Sequence, residues 1–185
     1  MRDFKKKLTG ENLLFYRGVD ISVKEKLKSL FIGPSPASKD GRYNREGERC
    51  LYLITDIEPL KSELKSSELL VQEYYIPVDR YKIADLASDN SELHNNLAIA
   101  FHMAERGATP SGYDIEKELE KRRRSKYSFS QLLASIFKRY NWDGLYIPGV
   151  HGSPGKYYCN MAIFDSIIDQ WESWVKPGYY PKNID

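Results

Sequence analysis

Four side chains in this sequence stand where chemistry can be done. Arg17 closes the apolar run Asn12 to Arg17 (NLLFYR), where a guanidinium is costly unless it has a partner. Arg42 follows Gly41 at the exit of a turn-rich loop, a position that suits a bidentate grip on a phosphate. Tyr52 lies inside a second apolar run, and Glu63 lies one helical turn beyond Leu60. Taken singly, each reads more readily as structural than as catalytic; an arginine at a strand end is often a solvated rim.

Other chemistries are missing from the pattern. The chain has no GxGxxG, no Walker loop, no HExxH and no GxSxG. His94, His102 and His151 do not cluster with Cys50 and Cys159. The HxxE of His102 and Glu105 reads as a polar helix face rather than half a metal site, so no metal is expected. Cys159 reads as a small core residue in a strand. The basic run Lys121 to Lys126 reads as a solvated helix end in preference to a phosphate contact.

Bulk properties exclude more. With 28 basic and 26 acidic residues and a formal net charge of +2, this is neither a DNA-coating protein nor an acidic disordered tail. No apolar run approaches the ~18 residues of a membrane span. Met1 to Lys7 carries basic residues with no apolar stretch behind them, so no secretory signal is expected. Two cysteines are too few for a disulfide scaffold, which points to a reducing cytoplasm.

The elements that must position these side chains follow from periodicity. At 185 residues the chain is expected to be one domain, spanning 1–185. Strands are predicted at Asn12 to Arg17, Cys50 to Thr55, Leu69 to Val78, Gly144 to Pro148 and Tyr157 to Phe164, the last two closing the sheet. Gly33 to Gly41 (GPSPASKDG) is a loop. Helices are predicted over Val23 to Phe31, over Glu58 to Leu64 with Asp56 as its cap, and from Ser91 to Arg106. Another is predicted over Ser128 to Tyr140, burying Phe129, Leu132, Leu133, Ile136 and Phe137. The polar stretch Gly107 to Lys126 is an exposed helix or a mobile lid, and the tail from Ser166 holds one short helix and a proline-rich end. Strands at both ends with helices between them make the class α+β. The 14 tyrosines imply that phenol rings build part of the interior and the clefts.

One segment carries a family resemblance. Phe31 to Leu64 (FIGPSPASKDGRYNREGERCLYLITDIEPLKSEL) resembles the N-terminal core of the RES domain, named for its Arg, Glu and Ser positions. The matching features, in order, are Arg17, Gly33-Pro34, Gly41-Arg42-Tyr43-Asn44, Gly47, Leu51-Tyr52 and Glu63. Lys126 to Gly149 is similar to the family's later helix and strand, and Tyr157 to Phe164 to its final strand, with a weaker middle at Ser88 to Arg124. The family's Ser falls at Gly149; Ser153 is a serine that a different turn path could bring into its place.

The resemblance implies an ADP-ribosyltransferase-like fold with a split β-sheet core. It implies a bacterial toxin that consumes NAD as substrate, without a cofactor, and is neutralised by an Xre-like helix-turn-helix antitoxin, so that a hetero-oligomer is possible. No direct nucleic-acid or membrane contact is expected. Glu63, Arg17 and Tyr52 become the catalytic candidates. Arg17, Arg42, Tyr43, Tyr52, Asn160 and Ser153 become the NAD-binding ones, with Tyr16 in the cleft wall. The acceptor is water or phosphate, making the enzyme a glycohydrolase or phosphorylase. The alternatives are ADP-ribosyl transfer to a protein, or an NAD-binding module weakened by Gly149.

Overall fold

The two longest strands, LLFYRGVD and LLVQEYYI, pair along their whole length. They are β1 (Leu13–Asp20) and β3 (Leu69–Ile76), antiparallel from Leu13 opposite Ile76 to Asp20 opposite Leu69. The computed structural model describes residues 8–22, 32–34, 40–66, 68–87, 127–149, 157–175 and 182–184. There the other strands are β2 (Leu51–Ile54), β4 (Ile83–Asp85), β5 (Gly144–Pro148), β6 (Cys159–Ile163) and β7 (Lys182–Ile184). They form a seven-stranded sheet in the order β4-β5-β6-β2-β1-β3-β7. Only β4 and β5 run parallel; the other pairs are antiparallel. The described α-helices are α1 (Leu60–Leu64) and α2 (Ser128–Arg139); 3₁₀ helices cover Val78–Arg80 and Ile168–Trp174, the second being the short helix expected in the tail. The result is a mixed α and β structure, in line with the α+β expectation.

Alternation along the strands builds two apolar layers. On one side Phe15, Leu51, Leu53, Tyr74, Ile76, Met161 and Ile163 pack together with Trp174. On the other, Ala84, Leu145, Ile147 and Ala162 pack with Tyr43 and with Ala134 and Phe137 of α2. Beside that second layer, Ile54, Leu69, Val71 and Tyr158 hold Leu60 of α1, with Tyr16 against them. The sheet has one weak seam. β1 and β2 meet at a single pair, Tyr16 opposite Ile54, whereas β2 and β6 share four pairs from Leu51 opposite Ile163 to Ile54 opposite Asn160.

Several expectations need correction. Arg17 does not end its strand; β1 continues to Asp20 because the register with β3 extends there, and Arg17 faces the buried Gln72. Helix α1 begins at Leu60 and has no side-chain cap; the Asp56 carboxylate instead accepts the Glu58 N–H at 3.1 Å in the turn before it. Helix α2 buries Ser130, Gln131, Ala134 and Phe137, while Ile136 stays 39% exposed. The stripe is rotated because Gln131 is drawn inward by backbone carbonyls, as shown below. Strands β4 and β7 were not anticipated; three residues are too few to display a period. The expected helices at Val23 to Phe31 and Ser91 to Arg106, the 107–126 segment, His94, His102 and Ser153 lie outside the described residues. Among the described residues no helix is long and apolar enough to cross a membrane.

Candidate functional site

The segment Gly41-Arg42-Tyr43-Asn44 is held by side chains from three elements. Asn44, 2% exposed, donates through Nδ2 to the carbonyls of Arg45 and Glu48 at 3.0 and 3.1 Å. Its Oδ1 accepts the Tyr52 hydroxyl at 2.5 Å. That hydroxyl in turn accepts the Tyr43 N–H at 2.7 Å. From α2, Gln131 donates through Nε2 to the carbonyls of Gly41 and Asn44, at 2.9 and 3.2 Å. A Cβ at position 41 would sit 2.8 Å from the Tyr52 hydroxyl and closer still to Asn44 Oδ1, so only glycine fits this closed network. Tyr43 is the anchor: its ring is 1% exposed and stacks on Tyr52, with centroids 5.9 Å apart and planes at 29°. Three neighbours of Arg42 are thereby immobilised, and its guanidinium is delivered to one place.

That place is beside Glu63. Arg42 Nη1 lies 3.9 Å from Glu63 Oε1, with side-chain exposures of 12% and 18%, so the two charges are largely withdrawn from water. The same oxygen accepts the Tyr158 hydroxyl at 2.6 Å and faces Asn160 Nδ2 at 3.4 Å. Tyr158 and Asn160 come from the same face of the chain entering β6, two residues apart. Two hydrogen-bond donors and one guanidinium charge therefore converge on one carboxylate oxygen.

A cavity of about 320 Å³ opens over this group, at the low end for a ligand pocket. Tyr16, Arg17, Arg42, Tyr52, Glu63 and Asn160 are among its walls. It lies where β1 and β2 share their single residue pair. Alternation sets Arg17 on the side of Phe15, away from α1, so it borders the cavity at that seam. Arg17 Nη1 donates to the Tyr52 carbonyl at 3.1 Å. Its Nε is buried and has no hydrogen-bond partner among the described residues. Burial pulls the Arg17 guanidinium below its usual pKa, against smaller opposing effects of Tyr74, Cys50 and Tyr52. Burial likewise raises the phenols of Tyr43 and Tyr52 and pushes the Cys50 thiol up to about 12. These phenols are neutral hydrogen-bonding groups. Tyr52 can offer its partly exposed ring to a ligand, while its hydroxyl is committed to the Arg42 loop.

Arg17, Arg42, Tyr43, Tyr52, Glu63 and Asn160 thus border one cavity, together with Tyr16. Gly149, where the resemblance places a serine, lies at the end of β5, and a Cβ there would fall on Cε2 and Cζ of the Tyr158 ring. Sequence reasoning missed two residues: Tyr158, and Gln131, which ties α2 to the arginine loop. A signal existed for the first, since Tyr158 precedes Asn160 by two residues in a predicted strand and so shares its face. Among the described residues no group of three or more His, Cys, Asp or Glu could hold a metal ion. Compared with family models, curated proteins and solved structures, the chain has no match.

A second, larger cleft of about 600 Å³ lies elsewhere, lined in part by Glu48, Arg49, Lys138, Trp142 and Phe164. Its cations are already bound. Arg49 lies 2.8 Å from Asp165 and 2.5 Å from Asp169, and Lys138 lies 3.0 Å from Glu48 and 5.1 Å from the centre of the Phe164 ring.

Proposed function

We propose that this protein cleaves the nicotinamide–ribose bond of NAD, with water or phosphate as acceptor. The observation that carries the reading is the Glu63 carboxylate, oriented by hydrogen bonds from Tyr158 and Asn160 and faced by Arg42, at a cavity bordered by Arg17, Arg42 and the Tyr52 ring. The RES-domain resemblance of Arg17, Arg42-Tyr43-Asn44, Tyr52 and Glu63 points the same way. The single-pair seam between β1 and β2 fits the split sheet of an ADP-ribosyltransferase-like fold.

The chemistry asks little beyond these groups. When the bond from the ribose anomeric carbon to the pyridinium nitrogen breaks, its electron pair returns to the ring, and nicotinamide departs neutral. No acid is required to protonate it. The ribose is left as an oxocarbenium ion, whose positive charge a nearby carboxylate stabilises, as in glycoside hydrolysis. In this reading Glu63 takes that role. Arg42 and Arg17 hold the pyrophosphate and so present the ribose in one orientation. Tyr52 offers a ring face to nicotinamide. Water or phosphate then adds at the anomeric carbon, and where water is the acceptor its proton passes to solvent. In the cell, an Xre-like helix-turn-helix antitoxin would hold such an activity in check.

Purified protein incubated with NAD, with and without phosphate, tests this. Free nicotinamide is expected, accompanied by ADP-ribose in the first case of water and by a phosphorylated ADP-ribose where phosphate is the acceptor. Absence of nicotinamide even at high protein concentration overturns the reading. Label from NAD retained on a protein band in a cell lysate would instead identify transfer to a protein.

A further inference from the structure

We propose that Tyr158 is the positioning residue of Glu63 and that Gly149 is present to seat it. The inference rests on the NAD-cleavage reading for its kinetic consequences and on geometry for its structural ones.

Glu63 sits on a poor platform. Helix α1 has five residues and no side-chain cap, so its own backbone does little to fix the direction of the carboxylate. The orientation must come from what the carboxylate bonds. The shortest of its contacts described above is the Tyr158 hydroxyl, at 2.6 Å from Oε1. Tyr158 is itself rigidly placed. Its side chain is 4% exposed and packs with Ile54, Leu60, Leu69 and Val71. Its carbonyl accepts the Gly149 N–H at 2.9 Å. Its ring occupies the space that any side chain at position 149 would need.

A phenylalanine would fill the same apolar space equally well. Only the hydroxyl requires tyrosine, and the hydroxyl goes to Glu63. Packing alone therefore accounts for an aromatic ring at 158 and for glycine at 149, but not for the phenol. Because stabilisation of the oxocarbenium ion depends on where the carboxylate points, a misplacement of about 1 Å is enough to lose about a hundredfold in rate. Gly149 acts at one remove: a methyl there displaces the ring, and with it the hydroxyl, without touching Glu63.

The test uses the full chain and the variants Tyr158→Phe, Gly149→Ala and the pair combined. Nicotinamide release from NAD and the melting temperature are measured on each. Tyr158→Phe is expected to lower kcat by about tenfold or more, as for loss of a hydrogen bond to a charged group, with KM within about twofold. Gly149→Ala is expected to lower kcat comparably. Combined, the two lower kcat no further than the worse single variant, because both act through the same hydroxyl–carboxylate contact. Wild-type kcat in Tyr158→Phe, or losses in kcat that multiply, overturn the proposal. Should Gly149→Ala fail to fold, the kcat of Tyr158→Phe decides.

A wild-type protein that releases no nicotinamide defeats the NAD reading, and the Tyr158–Glu63 link is then judged on Tm. Tyr158→Phe should lower Tm by about 2–4 °C in the wild-type background and by less than half that in Glu63→Ala. Equal losses in both backgrounds overturn the link.

Discussion

Two clefts among the described residues differ in a way that size does not predict. The larger, of about 600 Å³, holds strongly charged walls whose charges cancel one another. Arg49 bridges two carboxylates that are themselves 63% and 80% exposed. Its hydrogen bond and charge hold the Asp169 carboxyl below its ordinary value, and Asp169 and Asp165 raise Arg49 in return. Such pairs are screened by water and give a charged ligand little to gain. The smaller cavity, of about 320 Å³, is built the other way. Arg42 approaches Glu63 only to 3.9 Å, in surroundings that exclude most water, and Arg17 has a buried Nε without a hydrogen bond among the described residues. There a phosphate or a developing positive charge meets partners at reduced dielectric. Charges withdrawn from water, rather than paired at the surface, identify the site better than volume does.

The largest effect that would sharpen this contrast is expected from Glu63→Gln. It should lower nicotinamide release by about a hundredfold to a thousandfold, with little change in Tm; unchanged turnover would remove Glu63 from the mechanism. Next comes Arg42→Lys, which keeps the charge but loses the planar fork. An increase in KM for NAD of about tenfold is expected, and an unaltered KM would place the pyrophosphate elsewhere. In the larger cleft, Arg49→Ala should leave turnover unaltered and lower Tm by a few degrees at most, less so at high salt. A large loss of NAD cleavage in that variant would break the comparison.

The smallest effect is a calibration at the exposed end of β1. The Asp20 carboxyl is lowered from 3.8 to about 2, first by the Ser22 and Ser66 hydroxyls and then by the Ser22 N–H. Its folded pKa lies below its unfolded one. Its contribution to stability is therefore full above about pH 4 and is lost as the pH falls toward 2. Ser66→Ala should raise the Asp20 pKa, measured by carboxyl NMR titration, and shift part of the acid-induced loss of Tm to higher pH. An Asp20 titration unmoved by the variant would contradict the assignment.

Much of the architecture was legible along the chain. Gly144 to Pro148 has the expected strand limits, and Cys50 to Thr55, Leu69 to Val78 and Ser128 to Tyr140 each contain the element predicted for them. These segments carry a local signal, either apolar periodicity or β-branched and aromatic content. Strands β4 and β7 carry too little of it in three residues each. Arg17 reads as a strand end because a charge normally marks a boundary; the continued register with β3 overrides that rule. Gln131 broke the expected stripe of α2 because two distant carbonyls need a donor.

What the sequence determined by itself was the inventory: two arginines, a glutamate, the tyrosines and an asparagine on predictable local elements, with Gly41 and Gly149 beside them. Tertiary structure decided which of these meet. Glu63 and Tyr158 stand 95 positions apart, and nothing in the chain between them has a periodicity that reports their 2.6 Å contact. That contact exists because β2 and β6 pair in a particular register and the residue after β5 has no Cβ. Local preferences act over a few residues of chain, whereas a site is assembled by packing, which is indifferent to distance along the sequence.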